Sequence, residues 1–596
     1  MKKSFILTLL TIITLGLFQP ATALAEEAQK LPSGIERDQI GQKIQDYVKE
    51  HEKTTAGMAT AVFDKDGTIY KGNFGYMNKE KGVKADDGSV FEWGSVTKLT
   101  VWLSVMQLWE QGKINLEEDI RTYLPEGFLK NLRYDKPITM LDLMNHQAGF
   151  EEGAHAAYLE NKGQTIEEIL SVSQPAQIFE PGTTTAYSNF GAGLASYIVE
   201  RISGQRFSDY VHEHIFQPLG MNKTAILPDL SDNSYVQKKR QETKGYDTKG
   251  NLLSKDHFIT SIYPIGAATG TLKDLEKFAQ ALLARKTLFE RPETWNTLYT
   301  ASATYPDTDI IRDAHGFWAN EYGTTVLGHG GNTAGSTSRI MLDLEHGIGY
   351  VVMTNQGAEQ NYNFQMPELV FGPHKTASKE TQEQFSPGYY RTLRNFNQGP
   401  LAIFKMIPAS ADYLQEPSDD QLLPNNFWAI YQSQGKTRIA VAVADYEKVY
   451  DFDFFKDYVV LGLAGLGIIY ALGLLLISPL LGVYRLIFRK KQDQPDRTWK
   501  VWNLLTAVGI LTVPINLFLL FMSATSGDFS EIAQWRYMLF AALGLLLTAA
   551  ALLPLFRKFR EKLSKGRLFL TVMTSLSALA VAANILYWSL YQWWVF

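Results

Sequence analysis

The chain has 596 residues, a formal net charge of −5 at neutral pH and no cysteine. That length predicts two or three units rather than one, and the mild acidity argues against a nucleic-acid partner. The lack of cysteine excludes disulfides, thiolate metal sites and cysteine nucleophiles.

Residues 1–25 have the form of a secretory signal: Lys2 and Lys3, an apolar run from Phe5 to Phe18, then Ala23-Leu24-Ala25 ahead of Glu26. Gln39 to His51 has helical periodicity. Gly57 to Phe63 and Thr68 to Phe74 read as strands joined by Asp64-Lys65-Asp66-Gly67, a hairpin signal. The stretch Phe91-Glu92-Trp93-Gly94-Ser95-Val96-Thr97-Lys98 reads as a turn ending at Gly94 and then a helix. Ser95 and Lys98, three residues apart, share a face of that helix. A serine hydroxyl needs an adjacent base to become a nucleophile. A lysine serves as that base when desolvation or a neighbouring cation lowers its pKa from about 10.4. Leu99, Val101, Trp102, Leu103, Val105 and Met106 predict a buried helix that desolvates the amine. Ser95 is therefore the candidate acylated nucleophile and Lys98 its base. The same spacing recurs at Ser433-Gln434-Gly435-Lys436, where it reads as a structural turn between two strands.

Further along, Pro137 to Leu141 opens a helix that ends near His146-Gln147-Ala148-Gly149. Phe179-Glu180-Pro181-Gly182 is a turn leading into Tyr187-Ser188-Asn189-Phe190. Gly191 to Arg201 and Leu272 to Leu283 are helical. Gly323 to Leu327, Ser338 to Leu344 and Gly349 to Thr354 are predicted strands, with His329-Gly330-Gly331-Asn332 between the first two. Strands at both ends with helices between predict an α+β domain over 26–375 whose sheet is antiparallel. Residues 376–455 read as a β-rich juxtamembrane extension with no assigned role.

Residues 456–596 predict a membrane domain with four transmembrane helices. Tyr458–Tyr484, Val501–Met522, Tyr537–Phe556 and Leu568–Tyr587 are each apolar over about 20 residues or more, enough to span. Arg485, Arg489, Lys490, Lys491, Arg497 and Lys500 follow the first span, and Arg557, Lys558, Arg560, Lys562, Lys565 and Arg567 the third. Asp528 and Glu531, with Arg536 as the one base, lie between the second and third. The positive-inside rule puts the basic connectors in the cytoplasm and everything before Tyr458 outside, in agreement with the signal. The spans carry no central charge, so anchoring is the expected role.

Ser95-x-x-Lys98, Tyr187-Ser188-Asn189 and His329-Gly330-Gly331, in that order, resemble the three motifs of the serine penicillin-recognising family: class C β-lactamases, D,D-peptidases and related esterases and amidases. Asn145-His146-Gln147-Ala148-Gly149-Phe150, Phe179-Glu180-Pro181-Gly182 and Ile215-Phe216-Gln217-Pro218-Leu219-Gly220-Met221 also look like that family, and the likeness covers roughly residues 35–370. The resemblance implies a β-lactamase/transpeptidase-like fold, an antiparallel sheet flanked by helices with a helical subdomain. It implies that Tyr187 shuttles protons, that Asn189 hydrogen-bonds Lys98 and the substrate amide, and that the N–H groups of Ser95 and Asn332 hold the oxyanion. Gly330 and Gly331 would let substrate approach the strand. His329 stands where β-lactamases have lysine and is mostly neutral at pH 7, so a grip on a substrate carboxylate is not expected from it. His146 is expected to be structural. No metal or organic cofactor is called for. The implied activity is hydrolysis of D-amino-acid peptides or esters outside the cell by a membrane-anchored protein, D,D-carboxypeptidase-like, with peptidoglycan or teichoic acid as candidate polymers. The alternatives are a prodrug-activating D-amino-acid peptidase, a D-Ala teichoic acid esterase, or a β-lactam or muropeptide sensor with little turnover.

Overall fold

The computed structural model describes residues 30–594 apart from 54, 154–162, 254–259, 399–401, 403–410, 417–426, 489–496, 526–533 and 557–562. The signal-like segment 1–25 lies outside the described residues, as do Arg489, Lys490, Lys491, Asp528, Glu531, Arg557, Lys558, Arg560 and Lys562 of the charged connectors.

Helix α1, Ile40–His51, buries Ile40, Ile44 and Val48 at the spacing of one helical face. Strands β1, Gly57–Asp64, and β2, Thr68–Asn78, follow. Asp64 Oδ1 accepts from the amides of Asp66 and Gly67 and closes their turn. After β3, Val83–Lys84, a 3₁₀ turn over Gly94–Thr97 runs into α2, Lys98–Glu110, in which every residue from Lys98 to Leu108 is buried. A helix buried on all sides belongs at the centre of a core, and α2 is the centre of this one. Helix α3, Asn189–Ser203, is capped by Ser188 Oγ accepting from Gly191 N and ends on Gly204 at φ 72°. Helix α4 spans Leu272–Ala284.

The C-terminal strands of the first sheet are β4 Ala303–Thr304, β5 Ile311–Ala314, β6 Phe317–Glu321, β7 Thr325–Asn332, β8 Thr337–Asp343 and β9 Ile348–Thr354. The nine strands run β3-β2-β1-β9-β8-β7-β6-β5-β4, so β1 closes against β9, antiparallel, with Ala61 opposite Val351. β1, β8 and β9 are buried on both faces because α1 covers one and the α2–α4 layer the other. The predicted strand Gly323–Leu327 differs from β7. Gly323 instead lies in the turn into β7, its backbone tight against Phe371, and the strand continues through His329, Gly330 and Gly331, paired with Ile340, Arg339 and Ser338 of β8.

A second, five-stranded sheet follows: β10 Gly388–Thr392, β11 Asp412–Leu414, β12 Trp428–Ser433, β13 Lys436–Val441 and β14 Asp445–Val449, in the order β11-β10-β14-β13-β12. Tyr390, Leu414, Trp428, Ile439 and Val441 form its core. Tyr450 alone separates β14 from α5, Asp451–Ile487. This helix begins earlier than predicted because Asp451 and Asp453 suit its positive N-terminal end. Helices α6 Arg497–Thr525, α7 Gln534–Leu552 and α8 Lys565–Tyr587 complete, among the described residues, four helices long and apolar enough to cross a membrane.

Candidate active site

Ser95 sits in the 3₁₀ turn and Lys98 opens α2, and Lys98 Nζ lies 2.9 Å from Ser95 Oγ. The turn is held on both sides: Trp93 N donates to Ala268 O, Thr97 Oγ1 to Gly94 O, and Ala268 N to Thr97 Oγ1. Lys98 is fully buried and Nζ also donates to Ile265 O at 2.7 Å. Among the described residues this carbonyl, and not the expected Asn189, is the second partner of the amine. The short turn Tyr263–Ile265 packs against α2 and brings the carbonyl there. A neutral amine that donates to Ile265 turns its lone pair to the Ser95 hydroxyl. Burial holds Lys98 well below the ordinary lysine value, the Arg394 cation adds to that, and Glu152 opposes it.

Tyr187 is buried, with its ring centroid 5.0 Å from Lys98 Nζ. His146 packs on one side of the ring at 4.3 Å and Trp318 meets it at 5.5 Å. His146 stands at φ 54° and its Nδ1 accepts from Ser188 N, so it also positions the turn that starts α3. It packs directly on Tyr187. Burial holds the His146 imidazolium well below the ordinary value, so the ring is neutral. Asn189 is the first residue of α3, buried, next to this turn.

β7 approaches the Ser95 turn edge-on. A Cβ at Gly331 would lie 1.9 Å from Trp93 O and 3.0 Å from Ser95 N, and one at Gly94 would lie 2.7 Å from Asn332 N. Gly94 also has φ 51°. These two glycines bring the amides of Ser95 and Asn332 together, as an oxyanion site requires. Gly331 is thus needed by the protein's own backbone packing. A Cβ at Gly330 would meet the Arg339 side chain at 3.6 Å, an ordinary contact.

His329 is buried and stacked on Trp318, ring centroids 3.9 Å apart, and its Nδ1 lies 2.6 Å from Gly330 O. Burial, with the Lys98 charge next, lowers its pKa to about 3. The ring is therefore neutral.

Three groups beside these motifs were not legible beforehand: Ile265, Glu152 and Arg394. Arg394 follows β10 in the second sheet. Its guanidinium lies 4.7 Å from the Tyr187 ring centroid, and its Nε donates to Glu152 Oε2 at 2.7 Å. No motif marks it, and it is 207 positions from Tyr187.

The beta-lactamase family profile matches residues 40–371, more than half of the chain. The chain belongs to the beta-lactamase family. Within that family it is similar to protein flp of Staphylococcus aureus strain MW2, 23% identical over 338 residues, which cover 54% of this chain and 64% of that protein. It is also similar to penicillin-binding protein 4 of Amycolatopsis lactamdurans, 24% identical over 56% of this chain and 90% of that one. A third relative is the putative D-alanyl-D-alanine carboxypeptidase of Escherichia coli K12, 28% identical over 33% of this chain and 50% of that one. The chain therefore spans under two thirds of the length of the staphylococcal relative. Among solved structures, the octameric penicillin-binding protein homologue of Pyrococcus abyssi matches with a TM-score of 0.49 at 19% identity, over 69% of this chain and 99% of that one. The D-amino acid amidase of Ochrobactrum anthropi SV3 matches with a TM-score of 0.47 at 23% identity, over 56% and 97%.

Proposed function

We propose that this beta-lactamase family member is a membrane-anchored serine hydrolase that acts outside the cell on peptides or esters of D-amino acids, foremost the D-Ala ends of peptidoglycan stems. The observation that carries the reading is the buried Lys98 amine 2.9 Å from Ser95 Oγ, aligned by Ile265 O. Ser95 Oγ attacks the acyl carbon while its proton passes to Lys98 Nζ. The amides of Ser95 and Asn332 receive the charge that develops on the carbonyl oxygen. Tyr187 protonates the departing amine or alkoxide, and Asn189 at the start of α3 meets the substrate amide. A water then attacks the acyl-enzyme and gives its proton to the Tyr187 phenolate, and as the acyl–oxygen bond breaks Lys98 Nζ returns its proton to Ser95 Oγ. Relatives named as penicillin-binding protein and D-alanyl-D-alanine carboxypeptidase support the D-Ala choice. The four apolar helices and the basic connectors support anchoring with the catalytic body outside.

The test uses the full-length protein purified in detergent, with fluorescent penicillin, a panel of D-Ala-D-Ala peptides, D-Ala esters and acyl-D-amino-acid-capped amides, beside Ser95→Ala. The expected result is covalent labelling and release of terminal D-Ala from the peptides, both lost in Ser95→Ala. Labelling without turnover would replace the reading by a sensor. Turnover confined to the esters or to the capped amides would replace the substrate class by the esterase or the prodrug peptidase. Equal activity in Ser95→Ala would remove the mechanism.

A further inference from the structure

The second sheet is joined to the segment that carries Tyr187. Thr185 N donates to Asp445 Oδ2 at 3.0 Å, and Asp445 N donates back to Thr185 O at 2.8 Å. Ala186 and Ala444 form an antiparallel bridge, and Tyr187 N itself donates to Val443 O at 3.0 Å. Arg438 Nη1 donates to Thr184 Oγ1 at 3.0 Å. Residues 184–187 thus run alongside residues 443–445, at the start of β14. Asp445 is locked in turn by Arg312 of β5 in a buried ion pair at 2.8 Å. The sheet that holds the tyrosine's backbone also sends a cation over its ring: Arg394, 4.7 Å from the centroid, tied to the buried Glu152 at 2.7 Å.

We propose that the juxtamembrane sheet is part of the active site, with Arg394 as a positioning residue that holds the Tyr187 ring and, together with Glu152, sets the charge balance around the Ser95–Lys98 pair. This rests on the acyl-enzyme reading above. The geometry gives each member a distinct task. The guanidinium lies on the π-face of the phenol, a contact that fixes ring orientation and is strengthened by desolvation. Glu152 fixes the guanidinium. Among the described residues, Lys98 faces Ser95, Ile265 O, the Tyr187 ring, His146, His329 and, through space, the Arg394–Glu152 pair. Both histidines are held neutral by burial. The pair therefore supplies the charges that act on the amine: the Arg394 cation lowers its pKa and Glu152 raises it. The cation that β-lactamases carry on the motif strand is absent at His329. Here a guanidinium reaches the cleft from another sheet.

The sign of each change follows. Lys98 must be unprotonated to accept the serine proton, so the acid limb of the kcat/KM profile tracks its pKa. Removing the cation in Arg394→Gln raises that pKa and moves the limb to higher pH. Removing the carboxylate in Glu152→Gln leaves the cation uncompensated and moves the limb to lower pH. The experiment measures penicillin acylation rate and D-Ala release against pH for full-length wild type, Arg394→Gln, Arg394→Lys, Glu152→Gln and Ser95→Ala, with thermal unfolding of each. The expected result is opposite displacement of the acid limb in the two glutamine variants, by about half a unit to one unit each. A drop of about tenfold in kcat with little change in KM is expected for Arg394→Gln. Arg394→Lys should restore the position of the limb, since it keeps the charge. Limbs that coincide with wild type, or that move the same way in both glutamine variants, would overturn the proposal and leave Arg394 a structural tether. If Ser95→Ala retains activity, the acyl-enzyme reading itself fails, a result separate from either of those.

Discussion

Two places in this chain carry the same four-residue spelling, Ser-x-x-Lys, and the structure makes opposite things of them. Ser95 and Lys98 straddle the passage from a 3₁₀ turn into α2, and the amine is wholly buried. Ser433 and Lys436 flank the turn between β12 and β13, where Gln434 at φ 52° and Gly435 at φ 75° complete a tight hairpin. Lys436 is paired with Glu447 and its side chain is 44% exposed. The spacing is identical, so the spacing does not make the chemistry. What differs is the surroundings: the dry wall around Lys98, the Ile265 carbonyl and the neighbouring phenol.

The contrast is open to direct attack. The largest effect is expected from the lysines: Lys98→Ala should slow penicillin acylation about a thousandfold or more, while Lys436→Ala leaves it unchanged and costs under about 1 kcal/mol of stability. Comparable loss from both substitutions would erase the distinction. The glycines come next. Gly331→Ala drives a methyl group into Trp93 O and spreads the Ser95 and Asn332 amides. Acylation should fall by about a hundredfold, the scale for one displaced oxyanion donor. Gly435→Ala, with open space around it, should cost about 1 kcal/mol through its positive φ and leave the rate alone. The smallest effect lies in pH. Because burial and Arg394 depress Lys98, the wild-type acid limb should fall well below the ordinary lysine value of about 10.4. A limb at that value, seen by stopped-flow acylation, would mean the amine is solvated and the contrast is lost.

How far the letters could be read depended on how local the determinant was. Ser95 and Lys98 were legible because residues three apart at a helix start share a face. Tyr187 and the 329–332 strand were legible through a family pattern in fixed order, and the sheet through alternation and its hairpin signal. Ile265, Glu152 and Arg394 were not, because each acts across a long sequence separation with no spacing to betray it. The expected Asn189–Lys98 bond failed for the same reason: a carbonyl belongs to any residue, so nothing in the composition marks Ile265 as the competitor. The end of the predicted strand at Leu327 was misplaced because glycine weakens strand signals, although here the glycines are what allow β7 to pass the Ser95 turn.

The joint at Tyr450 has a consequence for reach. One residue joins the last strand of the second sheet to α5. Across it Tyr389 packs on Phe454 with ring centroids 4.5 Å apart, and Arg391 lies 3.9 Å from Asp457. With the four helices in a bilayer, so brief a stalk leaves little slack for the head to swing or stretch. The cleft would then patrol a thin layer at fixed height above the lipid, and encounters would be governed by which molecules drift or are delivered into that layer.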